Sequence, residues 1–337
     1  MSSIFWFAFH AVTPMLLLML LGWGLQAKGV FDENMLHKMN GFTFRFGLSA
    51  MMFCNTYGLT SLADFRLNVM ACVLFAALVL TGIGWAEGRL FTRQRNRRGI
   101  MMQNAFRSNF AIIGTTLAIS VGGVAGGAAA ASIQAPAIIY FNVASVVCLS
   151  IYSDRPGQTA CLGQILKGII TNPMIFGQLA GVLCLAVREF IPRDVQGELV
   201  FSLAKDLPFL YEPVESLADM ASPLILILLG ARINFSAVGD MKKELAVGVI
   251  QRLVLAPVVG FGVAFLAQWL GIVDVTPALA SALVGLYGSP VAAASAIMAE
   301  EMGGDGELAR QYVVWTSAFS MVSLFMWLVL LRSLQVL

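Results

Sequence analysis

Apolar runs, each about 20 residues long and so able to cross a bilayer, follow one another along the whole chain. They leave little room for anything but a bundle of membrane helices. The runs lie at 4–27, 36–58, 67–90, 101–120, 131–152, 162–188, 216–235, 244–270, 276–300 and 309–333, which predicts ten spans. Of 337 residues, 58% are hydrophobic and 12% charged, about half the charged share of a soluble domain. Such a chain cannot cover a water-facing surface. An all-α polytopic membrane protein embedded in the lipid bilayer is expected. The net charge of +2 is too small for a nucleic-acid partner.

The distribution of charge sets the orientation. No Lys or Arg precedes the first run, which is therefore read as a retained span rather than a signal peptide. Of the 21 Lys and Arg, thirteen fall in alternate connections, with "RLFTRQRNRRG" the densest, and five fall in the others. By the positive-inside rule the thirteen are cytoplasmic. Both termini are then outside, periplasmic in a bacterial inner membrane. The remaining three, Arg45, Arg107 and Arg252, lie well inside spans. Arg45 and Arg252 are expected to snorkel to the inner interface.

The longest connection, "REFIPRDVQGELVFSLAKDLPFLYEPVES", divides the spans five and five. An odd number per half turns the second half upside down relative to the first, the inverted-repeat geometry of many secondary transporters. The expected units are residues 1–160 and 161–337.

Span nine contains "LYGSPVAAASAIMAE", with Gly288, Ser289 and Pro290 near its centre. Broken backbone at membrane depth is tolerated only where protein buries it or where it lines a cavity. Ser caps a helix and Pro fits its first turn, so a second half-helix is expected to begin there. In span four, Gly114, Thr115 and Thr116 are the matching candidates. In inverted halves the two breaks would cross at the midplane. Both new half-helices would then aim their N-terminal ends, each worth about half a positive charge, at one point. Such a point suits an anion, above all a carboxylate.

Several motifs in order, "RSNFAIIG", "TNPMIFGQLAGVL", "LADMASPLILILLGARI", "RLVLAP" and "GSPVAAASAIMAEEMGGDGELA", span nearly the whole chain. With them the chain resembles the auxin efflux carrier family, which includes bacterial carboxylate permeases and the plant PIN proteins. The resemblance implies a fold like that of bile-acid/sodium symporters. Spans 1, 2, 6 and 7 would form a scaffold that dimerises, and spans 3–5 and 8–10 a mobile transport domain. Substrate would lie at the crossing of helices 4 and 9. Asn109 matches the family's asparagine before the span-four break, and Pro290 its span-nine proline. The family usually has prolines near Thr116 and Ser49; this chain has neither.

The candidate substrate residues are therefore Asn109, Gly114, Thr115 and Thr116 on one side of the crossing and Gly288, Ser289 and Pro290 on the other. Tyr140 and Asn142 of span five, and Ser49 and Asn55 of span two, are further polar candidates. Arg107, two residues before Asn109, is the candidate for recruiting an anion from the cytoplasmic side. No Asp or Glu lies deep in a span, which argues against a sodium/proton exchanger. The stretch 121–132, "VGGVAGGAAAAS", reads as an outer connection, and 303–307, "GGDGE", as a turn.

The five cysteines show no CxxC spacing, so neither a disulfide framework nor a zinc site is indicated, and no cofactor is expected. An intramembrane enzyme would need a nucleophile with a base, or a metal cluster. The two histidines, His10 and His37, stand apart, and neither a GxSxG nor an HExxH motif is present. The expected function is a homodimeric secondary transporter of small organic anions, and not an enzyme. The alternative is a receptor or channel with the same fold.

Overall fold

The computed structural model of the chain describes residues 2–58, 66–154, 171–192 and 199–337. The regular secondary structure of the described residues is helical, with no extended strand among them. The helices are α1 (Ser2–Ala27), α2 (Glu33–Phe42), α3 (Leu48–Tyr57), α4 (Leu67–Phe91), α5 (Arg95–Phe106), α6 (Thr115–Tyr152), α7 (Pro173–Arg188), α8 (Leu203–Asp206), α9 (Pro208–Ala231), α10 (Lys242–Ile250), α11 (Ala256–Trp269), α12 (Pro277–Gly288), α13 (Ala294–Glu301) and α14 (Gly306–Ser333). Five helical stretches have the length and apolar composition to cross a membrane: Leu67–Phe91, Thr115–Tyr152, Pro208–Ala231, Val238–Trp269 and Gly306–Ser333. Thr13–Ala27, Pro173–Arg188 and Pro277–Gly288 are shorter apolar helices.

Local chemistry starts these helices where it should. Asp32, Asn172, Thr276 and Asp305 accept backbone N–H bonds from the first turns of α2, α7, α12 and α14, which satisfies donors that would otherwise be orphaned. Proline follows the cap directly in α7 and α12, where its missing N–H costs nothing. The turn at 303–307 is present, with Gly303 at φ 78° and Asp305 as the cap of α14.

Three stretches depart from expectation. The expected connection at 121–132 is helical apart from Gly123, whose φ of 61° and ψ of −151° turn the chain sharply within α6. That conformation favours glycine, so one residue does the work of a loop. In the long mid-chain connection, α8 and the start of α9 are already helical from Leu203 and Pro208. Single π-helical turns at Thr43–Gly47, Phe110–Gly114 and Gln251–Leu255 interrupt spans two, four and eight. The junction expected at 160, the start of the run 162–188 and Cys161 lie outside the described residues; Cys54, Cys72, Cys148 and Cys184 are free thiols.

Two groups of helices pack most closely among themselves. In one, α1 runs along α9, α3 along α7, and α9 also meets α3. In the other, α12 lies along α6, and α4 packs on α5, α6 and α11. Polar contacts separate onto two faces. On one, Arg97 bridges Glu244 (3.2 Å) and Asp305 (2.8 Å), Arg310 bridges Glu300 (3.0 Å) and Glu307 (2.9 Å), and Arg232 pairs with Glu300. On the other, Arg188 donates to the Tyr57 carbonyl (3.1 Å) and Asn68 to that of Ile272 (2.7 Å).

Candidate functional site

Helices α5 and α12 both end inside the protein, and their broken ends are stitched together. Arg107 (φ −85°, ψ 92°) and Asn109 (φ −82°, ψ 47°) leave the helical conformation, as does Ser289 (φ −65°, ψ 148°). The Asn109 N–H donates to the Pro290 carbonyl at 2.8 Å, and the Ala292 N–H to that of Arg107 at 3.2 Å. These bonds flank an antiparallel bridge between Ser108 and Val291. The Val291 N–H donates to Thr316 Oγ1 of α14 at 3.2 Å. Main-chain groups freed by each break are thus taken up partly by the other, which helps irregular backbone exist without water.

The span-nine break falls where the sequence puts it; its partner does not. Gly114 and Thr115 are helical (φ −68°, ψ −42° and φ −66°, ψ −45°), and the span-four break lies at Arg107, Ser108 and Asn109. Gly114 instead makes the crossing tight. A Cβ on Gly285 would overlap the Gly114 carbonyl, and one on Gly114 would strike that of Gly285. Thr115 Oγ1 donates to the Phe110 carbonyl (3.2 Å) and Thr116 Oγ1 to that of Ile113 (2.9 Å). Ser289 does not cap the second half-helix either. Its hydroxyl turns back to the Gly285 carbonyl, and α13 starts at Ala294.

A cavity of about 60 Å³ opens beside the bridge, room for a few waters or a small polar group. Arg107, Ser108, Asn109 and Asn142 supply its polar wall. Met51, Met52 and Ser222, from α3 and α9, face them across it, and Phe141 and Ile138 complete the apolar part. Ala292, Ala293 and Ala294 form one side, so the positive end of α13 points at the cavity.

Arg107 is 4% exposed and donates through Nη1 to the Phe141 carbonyl and to Ser145 Oγ, both at 3.0 Å. Among the described residues its Nε has no partner, nor have Ser108 Oγ, Asn142 Oδ1 and, in the first turn of α13, Ser295 Oγ. Asn142 donates to Gln178 Oε1 (2.8 Å) and to Met52 Sδ (3.0 Å). The sulfur accepts from Nδ2, which fixes the amide orientation and leaves Oδ1 free to accept. Among the described residues no ion pair reaches Arg107. An uncompensated buried cation costs several kcal/mol, so the region calls for an anion.

Other sequence candidates lie elsewhere. The Tyr140 hydroxyl is 2.7 Å from Thr81 Oγ1, turned toward α4. Ser49 donates to the Arg45 carbonyl (2.7 Å), and neither Ser49 nor Asn55 lines the cavity, whereas their helix neighbours Met51 and Met52 do. Arg252 does not snorkel: it is 0% exposed and turned into the crossing. Sequence reasoning missed Ser108, although both its neighbours were candidates, because the break was placed at Gly114. It missed Gln178 and Ser222 too, which nothing local distinguishes from other small polar residues in spans.

A family model described as "membrane transport protein" matches residues 7–159 and 154–328, nearly the whole chain. The chain belongs to this family, the auxin efflux carrier/membrane transport protein family. The resemblance read from the motifs is thereby shown. No curated protein matches the chain. Family membership and the apolar helices together make it a multi-pass membrane protein and a membrane transporter.

Proposed function

We propose that this member of the family is a secondary transporter of small organic anions, carboxylates above all, working by alternating access. The observation that carries the reading is Arg107. Among the described residues its buried guanidinium has no acidic partner and its Nε no hydrogen-bond partner, and Arg107 lines a cavity beside two crossed breaks. Ser108 Oγ and the N-terminal end of α13 add donors for the same carboxylate. Asn142 Oδ1 accepts a hydrogen bond from a hydroxyl on the substrate.

The inverted five-plus-five arrangement belongs to this reading. The antiparallel bridge joins spans that the charge bias runs in opposite directions, and the Arg97 and Arg310 clusters join only connections assigned to the inner side. The scaffold consists of spans 1, 2, 6 and 7, and the transport domain of the others. Asn142 bonding to Met52 and Gln178 marks their shared surface. The protein is taken to be a homodimer in a bacterial inner membrane, with both termini periplasmic.

The test is solid-supported-membrane electrophysiology on proteoliposomes with malate, malonate, lactate and indole-3-acetate. A current for at least one acid, lost in Asn109→Ala, is the expected result. If folded protein moves none of them, by current or by isotope uptake, the reading is wrong.

A further inference from the structure

Arg252 lies in the π-helical turn Gln251–Leu255, whose extra residue widens the helix, and it is fully buried. Its guanidinium donates only to main-chain carbonyls among the described residues. Nε reaches Ser289 (3.1 Å), Nη1 reaches Ala105 (3.2 Å), and Nη2 reaches Leu286 (3.3 Å) and Tyr287 (2.7 Å). Ala105 is in the last turn of α5, and Leu286 and Tyr287 are in the last turn of α12. One side chain therefore collects orphaned carbonyls from the C-terminal ends of both half-helices that stop at the crossing.

Those ends attract positive charge. Each carries about half a negative charge, so two together match one guanidinium. In carriers built on broken helices, carbonyls at unwound C-terminal ends coordinate the coupling cation. The structure assigns to Arg252 the role of a tethered cation: it supplies the positive charge that the two C-terminal ends call for, in the place a mobile cation such as sodium would take, so this carrier works without sodium. The charge is permanent, because arginine does not deprotonate in proteins. With the negative ends neutralised on this flank, the positive end of α13 and Arg107 act unopposed on an anion at the other. The inference deepens the carrier reading and rests on it for the word coupling, but its cation chemistry can be tested without any substrate.

The experiment is the melting temperature of the purified protein in sodium, potassium or N-methyl-D-glucamine chloride at equal ionic strength, for wild type and Arg252→Ala. Wild type is expected to melt at one temperature in all three. Arg252→Ala is expected to melt lower, by on the order of 5 °C, and to recover saturably with millimolar sodium or guanidinium. A cap that served structure alone would give the same drop in all three chlorides, with no recovery by sodium. Arg252→Lys and Arg252→Gln guard against misfolding of the alanine variant. The lysine, which keeps the charge, is expected nearer wild type than the glutamine, which keeps only a donor. A wild-type melting temperature that rises specifically with sodium would overturn the proposal. So would a salt-blind Arg252→Ala, or equal behaviour of lysine and glutamine. Because these readouts need no substrate, a failure to transport organic acids would appear separately.

Discussion

Arg107 and Tyr140 make opposite predictions at the scale of single residues. Arg107 lines the cavity and its Nε has no partner among the described residues, so Arg107→Gln removes a charge-assisted contact worth about 1.5–3 kcal/mol. That corresponds to a KM for the carboxylate raised by roughly tenfold to a hundredfold, read from uptake against concentration. Stability should not fall with it, since loss of an unpaired buried charge relieves its desolvation cost. An unchanged or higher melting temperature is expected. Tyr140→Phe should do the reverse. It loses the bond to Thr81, costing about 1 kcal/mol of stability, and leaves KM where it was because the hydroxyl faces away from the cavity.

At the scale of the element, the crossing depends on two glycines, Gly285 and Gly114, that allow α12 to touch the π-helical turn before α6. Gly285→Val would drive a side chain into the Gly114 carbonyl, an overpacking of about 1–3 kcal/mol or more. A lower melting temperature together with lost transport is expected; transport at the wild-type rate would mean that the crossing tolerates separation. Most spans could be read from hydropathy, because a bilayer demands long apolar runs and this chain supplies them. The break at Pro290 was legible too, since Gly-Ser-Pro cannot continue a helix cheaply. The break at Arg107 was not. No proline or glycine marks residues 107–109, and what holds them out of the helix is hydrogen bonding to Pro290 and Ala292, nearly 200 residues away. The turn of Arg252 into the crossing was hidden for a similar reason: hydropathy sees a charge near a membrane surface, not the carbonyls that surround it.

For the whole molecule, the segregation of charged clusters predicts sidedness. In a cysteine-free background, Asp274→Cys should react with a membrane-impermeant thiol reagent in intact spheroplasts, and Lys243→Cys only after permeabilisation; both positions are exposed. The reverse pattern would invert the topology. Glu300 ties Arg232 at the end of α9 to Arg310 of α14. Glu300→Gln should loosen that link and raise thiol labelling of cysteines placed beside it. The central claim is that the crossing binds a negative charge. It is tested most directly by the melting temperature of purified protein with lactate and acetate set against their neutral amides. The account predicts that at least one acid stabilises wild type but not Arg107→Gln, and that the amides do neither. Acids and amides acting alike, or an acid effect that survives in Arg107→Gln, would contradict it.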